Sequence, residues 1–217
     1  MFGLLWLYIN AYTFGPLYRK AFLWFLDRSR NPRLYDEPSS LKDCELPTID
    51  VLLAAYDEEE TIAHSIDALG GADYPAEKLT VNIVVESGDR VTRAKLAQLR
   101  RQYDFREISV PPSYPGTPNK PRALNYGFEQ TDGDIVGVVD AEDVIGPELF
   151  RQVVSAMETG GHDYAQGILD MENEGDGLLN TLFRGEYGFW YGSVIPSYLR
   201  VSYPVPLGGT TNFVSRP

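Results

Sequence analysis

Four apolar runs alternating with stretches of helical spacing constrain this chain more than any other feature. They are "TIDVLLAAY" at 48–56, "LTVNIVVE" at 79–86, "REISV" at 106–110 and "IVGVV" at 135–139. Short apolar runs of this kind read as strands buried in a sheet. After the first, Asp57 stands where an N-cap belongs, with Glu60 at capping-box spacing. Ile62, Ile66 and Leu69 then mark one helical face, and Gly70-Gly71 close it. A charged helix is expected around "RVTRAKLAQLRRQY", and the loop "PPSYPGTPNKP" leads into a helix at "RALNYGFEQ". Regular alternation of strand and helix predicts an α/β fold with a mainly parallel, doubly wound sheet flanked by helices. Beyond Pro147 the pattern predicts a helix to Thr159, a strand at "YAQGILDME" and an aromatic segment "LFRGEYGFWYG".

The 217 residues are enough for one fairly large domain with its own core. A formal net charge of −12 argues against nucleic acid, which needs a basic footprint, but not against a small anionic ligand held locally. The single cysteine, Cys44, excludes an internal disulfide and a cysteine-based zinc cluster. Residues 1–30 form an apolar, aromatic arm, 31–48 a proline-broken linker, and 49–217 the domain proper. From Met1 to Tyr18 the arm carries no charge, and Arg19, Lys20, Arg28, Arg30 and Arg33 follow it. Positive charges after the apolar run do not suit a cleaved signal peptide. They suit a helical arm at a membrane interface with the domain on the cytoplasmic side. The competing reading is a helix buried on the domain or on a partner.

In an open parallel sheet, ligands collect at the carboxyl ends of the strands. Here those ends carry "AAYDEEE", "ESGD" and "DAED". No GxGxxG follows the first strand and no GxxxxGK[ST] occurs, so a Rossmann dehydrogenase and a P-loop NTPase are poor readings. Asp140, Glu142 and Asp143 repel one another unless a cation sits among them. Hard ions such as Mg²⁺ or Mn²⁺ take one or two carboxylates together with phosphate oxygens. Each feature also has a plain structural reading. Asp143 would serve as a helix cap, Lys120 and Arg122 as solvent-facing charges at a helix start, and "PLGGTT" as a turn. His64 and His162 read as surface residues, and Tyr187, Phe189, Trp190 and Tyr191 as core or membrane-facing ones.

Five motifs in order shift the balance: "VLLAAYDEEE", "NIVVESGD", "NKPRALNYG", "VVDAEDV" and "PLGGTTNF". Together they resemble family 2 glycosyltransferases of the GT-A fold, in the membrane-bound, polysaccharide-synthase-like branch. The resemblance covers about residues 49–217. It implies transfer of a hexosyl unit from a nucleoside-diphosphate sugar, UDP-linked, to a glycan or lipid-linked acceptor, metal-dependent and inverting. It sets Ala55, Tyr56 and Glu58 against the base and ribose, with Glu86 beside them. Lys120 corresponds to the basic residue near the pyrophosphate, with Arg122 and Asn125 nearby. Asp140 and Glu142 match the metal-binding DxD pair. Gly208, Gly209, Thr210, Thr211 and Asn212 line the donor-sugar and acceptor side, and Gln166 and the aromatic segment lead into it.

The chain departs from that pattern in several places. Ala54 replaces a usual proline and Asp57 a usual asparagine. Glu142 and Glu86 each replace an aspartate, keeping the carboxylate one methylene further out. The family's catalytic-base motif and its Q-x-x-R-W motif would fall beyond Pro217, so no catalytic base is assigned within the chain. The expectation is therefore a chain that binds donor but transfers poorly alone. The alternative reading is a truncated, non-catalytic nucleotide-sugar-binding module, or half of a split transferase that works with a separate acceptor-side or membrane subunit. A sugar-phosphate nucleotidyltransferase would want a glycine-rich, basic loop where "AAYDEEE" stands.

Overall fold

The structure is a computed structural model and describes residues 37–56, 62–169, 177–200, 204, 205 and 207–216. The chain divides into two compact units. One joins Tyr35–Gly167 to Gly208–Pro217 and contains the sheet; the other includes Ile168–Leu207. The apolar arm and the Asp57–Glu60 capping box lie outside the described residues.

The expected strands form as β1 (Ile49–Ala55), β2 (Leu79–Glu86), β3 (Arg106–Val110) and β4 (Ile135–Val138). Between them run α1 (Ile62–Gly70), α2 (Arg90–Leu99) and α3 (Lys120–Glu129). After β4 come α4 (Leu149–Val154), continued as a wider π turn at Ser155–Thr159, then β5 (Tyr164–Gln166) and finally β6 (Asn212–Ser215). The six strands lie in the order β3-β2-β1-β4-β6-β5. The pairs β1–β2, β2–β3 and β1–β4 are parallel, whereas β4–β6 and β5–β6 are antiparallel. The sheet is therefore mixed, with the parallel part confined to the first four strands. The strand expected at "YAQGILDME" ends at Gln166. Gly167 still donates its N–H to the Thr211 carbonyl at 2.8 Å, and Ile168 already belongs to the other unit.

One sheet face packs Val51, Leu53, Ile83 and Val85 against Ile62, Ile66, Leu69, Leu96 and Phe150. Each such side chain contributes roughly 1.5–3 kcal/mol on leaving water. Phe213 joins this core because Gly137 faces it: a Cβ at 137 would stand 2.4 Å from the ring. The opposite face carries Leu52, Val84, Ile108, Val110 and Val136, with Ala123 of α3 packed on them. Gly127 lets α3 approach closely, since a Cβ there would lie 2.7 Å from Val84 Cγ2. That approach fixes where the start of α3 sits above the sheet.

Polar clasps close the lower edge of the sheet. Thr48 donates its N–H and hydroxyl to Asp134 Oδ2 at 2.8 and 2.7 Å, and these bonds hold the Asp134 carboxyl below its ordinary range. Buried Asp50 accepts from Asn82 Nδ2 at 2.8 Å and from the Gly133 N–H at 2.7 Å. Both clasps tie β1 to the segment entering β4, setting the register of the two strands that carry the site.

The other unit presents α5 (Leu178–Phe189), a π turn at Trp190–Val194 and α6 (Ile195–Arg200). Pro196 lacks an N–H and crowds the carbonyl one turn back, and a π turn immediately before it relieves that conflict. Val194 and Tyr198 are buried with Phe189, Trp190 and Val205 around them, while Leu178, Leu182 and Phe183 are exposed. The aromatic segment is thus helical, with core positions in its second half. Among the described residues no helix is long and apolar enough to cross a membrane.

Candidate functional site

The strand order reverses between β1 and β4, so their carboxyl ends open a crevice, the usual ligand position of an open α/β sheet. Tyr56 follows β1 there with its side chain 71% exposed, and Asp140 follows β4. A cavity of about 660 Å³ is lined by Tyr56, Glu86, Asp89, Pro112, Gly116 and Arg122. Ala55 is buried in the main core, so its methyl group does not face the crevice and only its backbone is left for a ligand. Glu58 lies outside the described residues.

Helix α3 delivers the basic residues. Asn119 caps it, accepting the Arg122 N–H at 2.9 Å, and Pro121 sits in the first turn where a missing N–H costs nothing. The helix therefore starts at Lys120, ahead of the expected "RALN". A lysine at a helix N-terminus opposes the macrodipole, a preference worth about 0.3–1 kcal/mol, and concentrates positive charge at that point. Lys120 Nζ forms an ion pair with Asp140 Oδ1 and donates to the Gly209 carbonyl at 3.4 Å. Its side chain is 40% exposed and that of Asp140 is 22% exposed, so solvent and ligands reach the pair.

Arg122 is not the solvent-facing charge of the plain structural reading; it lies close to Lys120 in the chain and lines the cavity. Its guanidinium is buried and donates from Nη1 to both Glu86 oxygens at 2.5 and 2.6 Å. Nη2 donates to the carbonyls of Pro111 and Tyr114 at 3.0 and 2.7 Å, and Nε to that of Pro115 at 3.2 Å. The charge also lies 5.5 Å over the Tyr114 ring. Arg122 therefore bolts the proline-rich loop to the end of β2 and sets one wall of the cavity.

The acidic loop is held from both sides. Ser65 of α1 donates its hydroxyl to the Ala141 carbonyl at 2.5 Å. Opposite, the Asp140 N–H donates to Thr210 Oγ1 at 2.9 Å, and the Thr210 hydroxyl donates to Asp143 Oδ2. Asp143 thus anchors the "GGTT" loop and does not cap α4, whose N-cap position is Glu148. Thr211 has φ 54°, a costly conformation for a β-branched residue and one that tends to mark functional loops. Asn212 is engaged within the fold, donating to the Gly208 carbonyl at 2.8 Å and accepting from the Tyr164 hydroxyl. Gly208, Gly209 and Thr210 are thereby brought beside Lys120 and Asp140.

Asn125, expected near the same point, lines a separate apolar cavity of about 200 Å³ with Leu124, Phe128 and Val138. Both amide atoms of Gln166 are buried and have no partner among the described residues. The roles of Ser65 and Thr210 were not foreseen. A polar residue on the apolar stripe of α1 was the signal for Ser65; the "PLGGTTNF" motif marked Thr210, but not its bonds to Asp140 and Asp143.

Asp140 and exposed Glu142 offer hard oxygen donors suited to Mg²⁺ or Mn²⁺. Among the described residues no group of three or more His, Cys, Asp or Glu side chains is placed to hold a metal ion. The donor set fits a metal that completes its shell with diphosphate oxygens and water.

A sequence model of the family described as glycosyltransferase like family 2 matches residues 47–216. A β-monoglucosyldiacylglycerol synthase of Synechocystis sp. is 37% identical over 108 residues, covering 50% of this chain and 22% of the relative. The mannosyltransferase PcManGT of Pyrobaculum calidifontis, solved with GDP-Man and Mn²⁺, superposes with a TM-score of 0.59 at 20% identity, covering 76% of this chain and 46% of its own. The glucosyl-3-phosphoglycerate synthase of Mycobacterium tuberculosis, solved with uridine diphosphate, gives 0.51 at 23% identity, covering 80% and 58%. The two structural matches establish the fold. The chain spans under a quarter of the curated relative's length and about half of each solved chain.

Proposed function

The chain belongs to the glycosyltransferase-like family 2, and from that premise we propose that its sheet unit binds a nucleoside-diphosphate sugar, UDP-linked, for hexosyl transfer to a glycan or lipid-linked acceptor. The observation that carries this reading is the convergence of Lys120, Asp140 and the Gly209–Thr210 loop at the β1/β4 crevice, with exposed Tyr56 in the cavity wall. Tyr56 offers a free aromatic face for the base. Glu86, kept in place by Arg122, presents an acceptor-only carboxylate to the base or ribose. Lys120 and the N-terminus of α3 face the diphosphate. Asp140 and Glu142 would hold Mg²⁺ or Mn²⁺, which supplies electrostatic stabilisation of a departing diphosphate.

In the transfer, a bond forms between the acceptor oxygen and the anomeric carbon as the bond to the diphosphate breaks. The diphosphate leaves with the electron pair, the acceptor proton passes to a base, and in-line attack inverts the configuration. Lys120 stabilises charge on the leaving group. The metal found with PcManGT and the uridine diphosphate found with the mycobacterial synthase support the choice of ligands. The name of the Synechocystis relative supports a lipid-linked acceptor as one of the two classes.

Calorimetry of the full chain tests the donor reading. UDP is expected to bind more tightly with Mn²⁺ than with EDTA, by at least about tenfold, as expected where a metal supplies ligands to the diphosphate. Equal affinity in the two conditions would sink it.

The uncharged aromatic stretch Met1–Tyr18 and the basic residues after it support a membrane-surface location, domain on the cytoplasmic side. The full chain is expected to co-sediment with anionic lipid vesicles, and a chain lacking residues 1–30 to stay in the supernatant while still binding UDP. A full chain that does not sediment argues against the arm as an anchor.

A further inference from the structure

We propose that Lys120 is the resident cation of the acidic loop, and that this site takes a divalent metal ion only together with a diphosphate. The inference rests on the nucleotide-sugar reading above and concerns how that site assembles. Lys120 Nζ sits on Asp140 Oδ1, one of the two oxygens of a carboxylate that would hold a metal ion, and is steadied there by the Gly209 carbonyl at 3.4 Å. Asp143 offers no easy substitute, because its carboxylate accepts the Thr210 hydroxyl that also receives the Asp140 N–H. A metal ion arriving alone therefore meets one carboxylate already neutralised by an ammonium group, plus exposed Glu142. Among the described residues no third acidic, His or Cys ligand completes a cage.

The charges decide the order of events. A dication and an ammonium group repel at van der Waals distance, strongly so in a partly desolvated crevice, so they do not share Asp140. Displacing Lys120 without a new partner would leave its charge uncompensated beside the positive end of α3. A diphosphate removes both obstacles at once. Its oxygens complete the metal shell, and they give Lys120 a new anionic partner within the sweep of its flexible four-carbon stem. The side chain, 40% exposed, is free to make that swing. Lys120 thus exchanges Asp140 for diphosphate as the metal enters, and metal and nucleotide bind as one unit.

The test is Mn²⁺ binding to the full chain, followed by the electron paramagnetic resonance of free Mn²⁺, with and without UDP. It compares the wild type with Lys120→Met and Lys120→Arg. Lys120→Met is expected to bind Mn²⁺ alone about fivefold to tenfold more tightly than the wild type, as expected for removal of a competing charge from a partly exposed pair. The same variant is expected to bind UDP in the presence of Mn²⁺ more weakly, so the two effects have opposite signs. Lys120→Arg keeps the competing cation and should match the wild type for Mn²⁺ alone. Unchanged or weaker binding of Mn²⁺ alone by Lys120→Met overturns the exchange. If the wild type binds UDP normally with Mn²⁺ in that case, the donor reading stands and only the exchange falls. A wild type that binds no UDP with Mn²⁺ overturns both.

Discussion

Arg122→Ala is expected to destabilise the sheet unit by about 3–5 kcal/mol, the cost of removing one partner from a buried ion pair. That is a large share of the roughly 5–15 kcal/mol that holds a typical domain together. The Arg122 and Glu86 side chains are 5% and 15% exposed, so water replaces little of what is lost. Glu86 would keep a largely buried charge without the Nη1 donor that both its oxygens share, and the Pro111, Tyr114 and Pro115 carbonyls would each lose a hydrogen bond. Arg122→Lys should recover only part of this, because an ammonium group cannot span three carbonyls and a carboxylate together. Pairing Arg122→Ala with Glu86→Gln should cost less than the sum of the two single changes, since the stranded charge disappears. Urea denaturation of the four variants beside the wild type reads the effect directly. A loss below about 1 kcal/mol for Arg122→Ala would mean that the guanidinium does not bolt the loop to β2.

Asp140→Ala is expected to lower UDP affinity in Mn²⁺ on the order of 100-fold, bringing it to the level measured in EDTA, since even outer-shell changes at metal sites cost 10–100-fold. Asp140 pairs with the Lys120 ammonium through its side chain and with the Thr210 loop through its backbone. Its backbone N–H bond to Thr210 survives the substitution, so the loop should keep its place and the loss should be confined to the metal-dependent part. Asp143→Asn offers the contrast. It weakens the hold on Thr210 without removing the carboxylate that faces Lys120, and its effect should be smaller. Calorimetry in Mn²⁺ and in EDTA separates these cases. An Asp140→Ala protein that kept its Mn²⁺-dependent gain would remove Asp140 from the metal site.

The parallel half of the sheet was legible because burial there is written locally. Strands β1 to β4 are short apolar runs, and α1 shows its apolar face through Ile62, Ile66 and Leu69. The antiparallel edge was harder to read. Strand β5 is three residues long and β6 four, too short for a period to show, and their pairing depends on segments far apart in the chain. Asp140 was legible as a candidate because acidic side chains at the end of an apolar strand are conspicuous, and the structure pairs it with Lys120. The burial of Arg122 was not legible, because its spacing from Lys120 says nothing about direction. One basic residue of α3 turns outward to the crevice, the next inward under a loop.

The sequence by itself determined the first four strands and the helices between them, and which of their ends carry charge, because one-faced burial imposes a period that neighbouring residues must share. Only the tertiary structure decided the partners. Glu86 meets Arg122 across 36 positions, and Lys120 meets the Gly209 carbonyl across 89. Those meetings follow from strand order and from the close seat of α3 on the sheet. Pairing of charges over such separations depends on where whole elements pack, and no local period encodes that.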